Sequence, residues 1–167
     1  MKTKILKISA TSLLLAILSL LLMAAGCEKD NGVWIQIEPI NPNEQISEKL
    51  DSIFSRDNNC LLNFEKDTLF HTIFSYADFN AIDTCNTVLE IDFDKYTLVT
   101  GKVMVPEMTY SISGITLTYN NASDVYKLEV SIDKCEECYT VIDYLYFWRL
   151  YPKLNSKYKI EILLTEK

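Results

Sequence analysis

The sequence predicts an α+β fold, mainly antiparallel β-sheet with one or two short helices, in a single domain. Apolar and polar residues alternate through Tyr126, Leu128, Val130 and Ile132, and again through Tyr158, Ile160, Ile162 and Leu164. That period of two marks strands with one buried face. Ile46, Leu50, Ile53 and Phe54 instead fall at helical spacing. Of the 167 residues, 141 remain once an N-terminal segment of 26 is set aside, which suits one domain with a real core.

In chain order, residues 28–32 are polar and contain Gly32, so they read as a tether. Val33, Ile35 and Ile37 alternate with Trp34, Gln36 and Glu38 in a short first strand, which Pro39 and Pro42 stop. Asn43 is placed to cap a helix over residues 45–54, and residues 57–59 (Asp-Asn-Asn) end it as a turn. Residues 69–74 read as a strand, with His71, the single histidine, on its solvent face. Ser75 caps a second short helix carrying Tyr76, Phe79 and Ile82 along one side.

From Val88 the period becomes two, and Glu90, Asp92 and Asp94 share one face of an extended segment. Tyr110 and Ile112 lie on one phase, and Ile115, Leu117 and Tyr119 on the other. A bulge at Ser113-Gly114 would return both sets to the core; a positive φ at Gly114 would then make valine costly there. Residues 120–124 form the turn into the strand at 126–132. Residues 139–151 are apolar almost throughout, apart from Asp143 and Arg149. Their aromatic and β-branched content favours a central strand buried on both faces and ended by Pro152, with a helix as the alternative. Tyr158 to Leu164 is the last strand.

The N-terminus gives a location. Lys2, Lys4 and Lys7 precede an apolar run from Leu13 to Ala25, and Met23-Ala-Ala-Gly-Cys27 closes it. The run is short for a membrane span of roughly 20 residues, and its small final residues suit a peptidase. This pattern resembles the lipobox of bacterial lipoproteins. The resemblance implies a signal peptide at 1–26, a lipidated tether at 27–32 with the lipid on Cys27, and a domain at 33–167. An ordinary signal peptide and an N-terminal anchor helix are the alternatives. Glu28-Lys29-Asp30 resembles the surface-export signal of Bacteroidetes-type lipoproteins, implying an outer-membrane lipoprotein at the cell surface rather than on the periplasmic face.

Cleavage removes three of the 16 basic residues and none of the 23 acidic ones, leaving 13 against 23 and a formal charge of −10. Nucleic acid, bound through lysine and arginine, is excluded as a partner. The membrane contact falls to the lipid, which anchors stably with two or more acyl chains.

Cys60, Cys85, Cys135 and Cys138 remain beside the lipidated cysteine, an even set that reads as disulfides with three connectivities. Cys60–Cys85 with Cys135–Cys138 is the preferred pairing. Glu136 and Glu137 would raise a thiolate pKa between the last two, and no βαβ unit precedes them, so a structural clip outweighs thiol–disulfide exchange. Isolated Cys60 and Cys85 and a lone histidine give no zinc set. Glu90, Asp92 and Asp94 offer oxygen ligands for calcium without an EF-hand pattern, so no metal or cofactor is assigned. Two carboxylates also suffice for glycoside hydrolysis, but only at a suitable separation in space.

Tyr144, Tyr146 and Trp148 are the candidate binding residues, weighed against a place in the core with Phe147 and Tyr151. Trp34 is a second aromatic candidate. Asp51-Ser52-Ile53 and Asp67-Thr68-Leu69 resemble the O-glycosylation acceptor of exported proteins in the same bacterial group, implying Ser52 and Thr68 as acceptors.

Phe74-Ser-Tyr-Ala-Asp-Phe, then Glu90-Ile-Asp-Phe-Asp-Lys-Tyr-Thr-Leu-Val-Thr-Gly, then the paired strands from Tyr110 to Ile132, resemble PrcB-like accessory lipoproteins of protease complexes. The resemblance spans residues 68–133, with Met108-Thr109-Tyr110 where that family commonly has Gly-Gly-Tyr. It implies a domain without catalytic residues that associates with other proteins. The sequence thus points to a lipid-anchored, non-enzymatic binding module with a protein or glycan partner. A small extracytoplasmic hydrolase using the acidic residues, and a structural subunit of an envelope complex, are the alternatives.

Overall fold

Local capping starts both helices. In the computed structural model, which describes residues 32–55, 70–84, 87–105, 110–133 and 143–166, Asn43 lies outside the first helix and its side chain accepts the Ile46 N–H at 2.9 Å. That helix is α1 (Glu44–Ile53). Ser75 accepts the Asp78 N–H at 3.2 Å to start α2 (Tyr76–Ile82), and Asp78 in return accepts the Phe74 N–H at 3.0 Å. The strands among the described residues are β1 (Trp34–Ile37), β2 (Phe70–Ile73), β3 (Tyr96–Val105), β4 (Ser111–Asn120), β5 (Val125–Asp133), β6 (Asp143–Pro152) and β7 (Lys159–Glu166). Among the described residues strand dominates and the two helices are short, which is the α+β class.

The strands form two sheets, one ordered β1–β4–β5–β7 and the other β2–β3–β6. Every neighbouring pair is antiparallel except β5 and β7, which run parallel with Leu128 opposite Ile162. Alternation reveals which face a strand buries and says nothing about its neighbour, so this pairing was not legible in the sequence.

Two cores give three layers. Val99, Val103, Phe147 and Tyr151 of the three-stranded sheet meet Leu117, Tyr126, Leu128 and Val130 of the four-stranded one. The other face of the three-stranded sheet, with Ile73, Leu98 and Leu150, packs against Leu50 and Ile53 of α1 and Phe79 of α2. The three-stranded sheet is therefore the middle layer. Its central strand is β3, where Leu98 and Val99 are both fully buried on opposite faces. Residues 33–167 make one compact unit.

The bulge falls where expected. Ile112 pairs with Ile132 and Gly114 with Ser131, so Ser113 is the extra residue, and Ile112 and Ile115 both pack on the inter-sheet core. Its backbone differs from the expectation: Gly32 is the one described glycine with positive φ, and Gly114 has none. A Cβ on Gly114 would meet Ser131 Cβ at 3.9 Å, an ordinary contact. The turn after β4 is held by the Asn120 side chain, which accepts the N–H groups of Ala122 and Ser123 at 2.9 and 3.1 Å. Asp124 takes φ 53° there.

Other expectations need correction. The apolar tract is a strand over residues 143–152, but its strand is flanked only by β3, so it is an edge and not central. Among the described residues its other edge carries a single isolated bridge, from Leu150 to Ile40. Its end is as read: Pro152, opposite Tyr96, is the last paired residue. His71 is half-buried on the helix-facing side of β2, where it lies opposite Thr100. Val33 and Ile35 are 64% and 50% exposed, because β1 is the edge of its sheet. Residues 57–59 and 139–142 lie outside the described residues.

Candidate functional site

Residues 87–91 lie outside both sheets with alternating buried and exposed side chains, and the Phe93 N–H then donates to the Ile91 carbonyl at 3.0 Å in a tight turn at Asp92. Leu89 and Ile91 are each only 2% exposed and Phe93 is buried with them in the helix-side core. Val88, Glu90 and Asp92 point the other way and are exposed. The alternation read from the sequence is thus real, and what it builds is a strand-like ridge and not a sheet member. A turn closes the ridge. The Asp92 carbonyl accepts the N–H groups of Lys95 and Tyr96 at 3.0 Å, and the Asp92 carboxylate accepts the Asp94 N–H at 3.1 Å.

Open clefts surround the ridge and share its residues as walls. One, of about 470 Å³, lies between Phe74, Tyr76 and the acidic residues Glu90, Asp92 and Asp94. A second, of about 290 Å³, lies on Ile46, Tyr96 and Leu150 between residues 40–43 and 90–92. The next, of about 560 Å³, adjoins it along residues 40–42 and reaches Trp148 and Arg149. A fourth, of about 390 Å³, is bounded by Tyr76, Asn80 and Val88. The first, second and fourth clefts have ridge residues as walls and the third meets the second along residues 40–42, so neighbouring clefts make a grooved surface from Trp148 past the acidic ridge to α2. Apolar groups stand out along it: Val88 is 71% and Tyr76 47% exposed. The Tyr76 ring packs edge-on against Phe93 at 4.9 Å and its hydroxyl donates to the Ile91 carbonyl at 2.8 Å.

The acidic residues are spread along the ridge. Lys95 Nζ sits 2.8 Å from the Asp92 carboxylate and, as the largest influence, holds its pKa below the usual carboxylate value. A catalytic acid needs the opposite shift, produced by burial or a second carboxylate. No three His, Cys, Asp or Glu residues gather to hold a metal among the described residues.

The aromatic candidates separate. Trp148 is half-buried against the helix-side core, and its indole N–H donates to Asp51 Oδ1 of α1 at 2.8 Å. Tyr144 is 37% exposed, with Lys102 Nζ 4.6 Å from its ring centre, and Tyr146 is half-buried. All three share one face of β6, but only Trp148 lines the groove. Phe147 and Tyr151, on the opposite face, belong to the inter-sheet core. Trp34 is exposed at the β1 edge. Ser52 is exposed on α1. Thr68, Cys27, Cys60, Cys85, Cys135 and Cys138 lie outside the described residues.

The sequence reading missed the contribution of residues 39–43 and of Tyr76. The two prolines signalled a chain turn, but nothing local tells that it lands beside residues 90–92, some fifty positions later. Comparison of the chain with protein-family models, with curated proteins and with solved structures gives no match.

Proposed function

We propose that residues 33–167 are a non-enzymatic binding module that receives a protein or glycan partner in the groove along residues 87–94. On this reading Cys27 carries the lipid, and the domain is displayed from the outer membrane at the cell surface. No helix among the described residues is long and apolar enough to cross a membrane.

The observation that carries the reading is the groove itself. It is open, long and partly apolar, with Val88 and Tyr76 exposed beside carboxylates. Exposed apolar groups rimmed by polar ones mark interaction sites. The low pKa of Asp92 keeps its carboxylate charged, which suits recognition better than proton donation. The PrcB-like resemblance of residues 68–133 covers the same ridge and supports a role in associating with other proteins.

A photo-crosslinking residue placed at Val88 in cells should capture a partner, and one at Leu163, 39% exposed on β7, should not. Equal capture at both positions, or none at Val88, defeats the assignment.

A further inference from the structure

The ridge has an unfinished hydrogen-bonding edge. In an extended chain the N–H and C=O of one residue point to one edge, and those of the next residue to the other. On the edge toward α2, the Thr87 N–H donates to the Asp83 carboxylate and the Ile91 carbonyl accepts from Tyr76. Side chains of α2 and its C-cap therefore close that edge at both ends. The opposite edge belongs to Val88 and Glu90. Neither residue makes a hydrogen bond within the described structure, by main chain or side chain. Two donors and two acceptors thus stand at strand spacing with no partner, and edges of that kind template the pairing of another chain.

Charge identifies the occupant. Glu90 and Asp92 line the clefts on both sides of the ridge and Asp94 the first of them; no lysine or arginine is among the described lining residues, and the neighbouring Lys153 Nζ is taken up by the Phe74 and Phe93 carbonyls. Lys95 is engaged with Asp92, while the Glu90 carboxylate has neither ion pair nor hydrogen bond among the described residues. A residue opposite Glu90 on an added strand would have its Cβ about 5 Å away, within reach for an opposite charge.

We propose that an extended basic peptide of a partner protein adds to the ridge as a β-strand, pairing with the main chain of Val88 and Glu90 and setting a lysine or arginine against the Glu90 carboxylate. The proposal rests on the binding-module reading and specifies its partner and mode. Main-chain pairing holds the peptide and side chains select it, as in other strand-addition complexes. The exposed Val88 side chain supplies the apolar contact beside the charge.

Selection of random octapeptides on the immobilised full chain tests this. Enriched peptides should carry lysine or arginine at alternating positions and lack proline. Adding one should slow hydrogen exchange at the amides of Val88 and Glu90. Methylating the peptide's alternate amides should abolish binding, and Glu90→Lys should weaken it about tenfold with unchanged circular dichroism. No enrichment, enrichment of acidic or proline-rich peptides, or binding that leaves those two amides unprotected overturns the strand-addition proposal. If Val88 crosslinking still succeeds, the binding-module reading survives that result. Protection that rises with protein concentration in the absence of peptide would assign the edge to a second copy of the chain, and would overturn the proposal too.

Discussion

Trp148 sits at the boundary between core and groove. The sequence posed it as either a core residue or a binding residue. Its neighbours Phe147 and Tyr151 are fully committed to the inter-sheet core, whereas the indole lies half-buried with its N–H on Asp51. Trp148→Phe keeps most of the ring contact and loses the hydrogen bond, so it should cost about 1 kcal/mol in urea denaturation. Asp51→Ala should cost a similar amount, and the double variant little more, because both remove the same bond. Additive losses would show that the two side chains are not coupled. Tyr151 poses a different residue-scale problem. It is fully buried, its hydroxyl has no hydrogen-bond partner among the described residues, and burial pushes its pKa up to about 12. The folded state thus favours the neutral phenol, a contribution complete below about pH 10 and lost as pH rises toward 12. Tyr151→Phe should equal or exceed wild type in stability at pH 8, since an unpartnered buried hydroxyl is costly. Near pH 12 wild type should fall a further 2–3 kcal/mol or so behind the variant. A gap that does not change between these pH values would contradict the assignment.

At the scale of elements, what was legible was local. Both caps, the turn after β4 and the bulge at Ser113 each depend on residues within a few positions of one another, and all are present. Asn43→Ala should therefore cost about 0.5–2 kcal/mol, read as a lower thermal midpoint. Gly114 shows where a correct location came with a wrong cause. With no positive φ and ordinary room for a Cβ, Gly114→Ala should leave stability unchanged or raise it by up to about 1 kcal/mol, as replacing glycine in a strand does. A loss above about 2 kcal/mol would mean that the bulge needs glycine after all. The least legible element was β3. Buried on both faces and rich in threonine, it shows no alternation, and Thr97 and Thr100 hide their hydroxyls in hydrogen bonds to Leu154 and Phe147. A period-based reading passes over such a strand although it is the centre of the middle layer. The groove was illegible for another reason: its walls are brought together only by packing α1 and the ridge on that layer.

For the molecule as a whole, the N-terminal reading yields expectations that can be checked without a partner. Cys27→Ala should abolish acylation and partitioning into detergent, and leave the circular dichroism of the remaining domain unchanged. Partitioning that survives the substitution would remove the lipoprotein assignment. Thiol titration of the mature protein, denatured but not reduced, should read near zero if Cys60, Cys85, Cys135 and Cys138 are all paired. Two or more reactive thiols would rule out the two-disulfide scheme.

The order of the strands also governs when this protein can exist as a folded object. The chain passes from one sheet to the other between β1 and β2, back between β3 and β4, over again between β5 and β6, and returns with β7. Neither sheet can be assembled from an uninterrupted stretch of sequence. A chain emerging gradually from a ribosome or a secretion pore has the first six strands available while the β5 edge still waits for β7. Such distant pairings close slowly, because loops must form before their contacts repay them. The domain should therefore stay threadable until its last strand is delivered and then lock in one step. On the proposed export route, where the chain would cross a membrane unfolded, that delay would amount to a built-in timer.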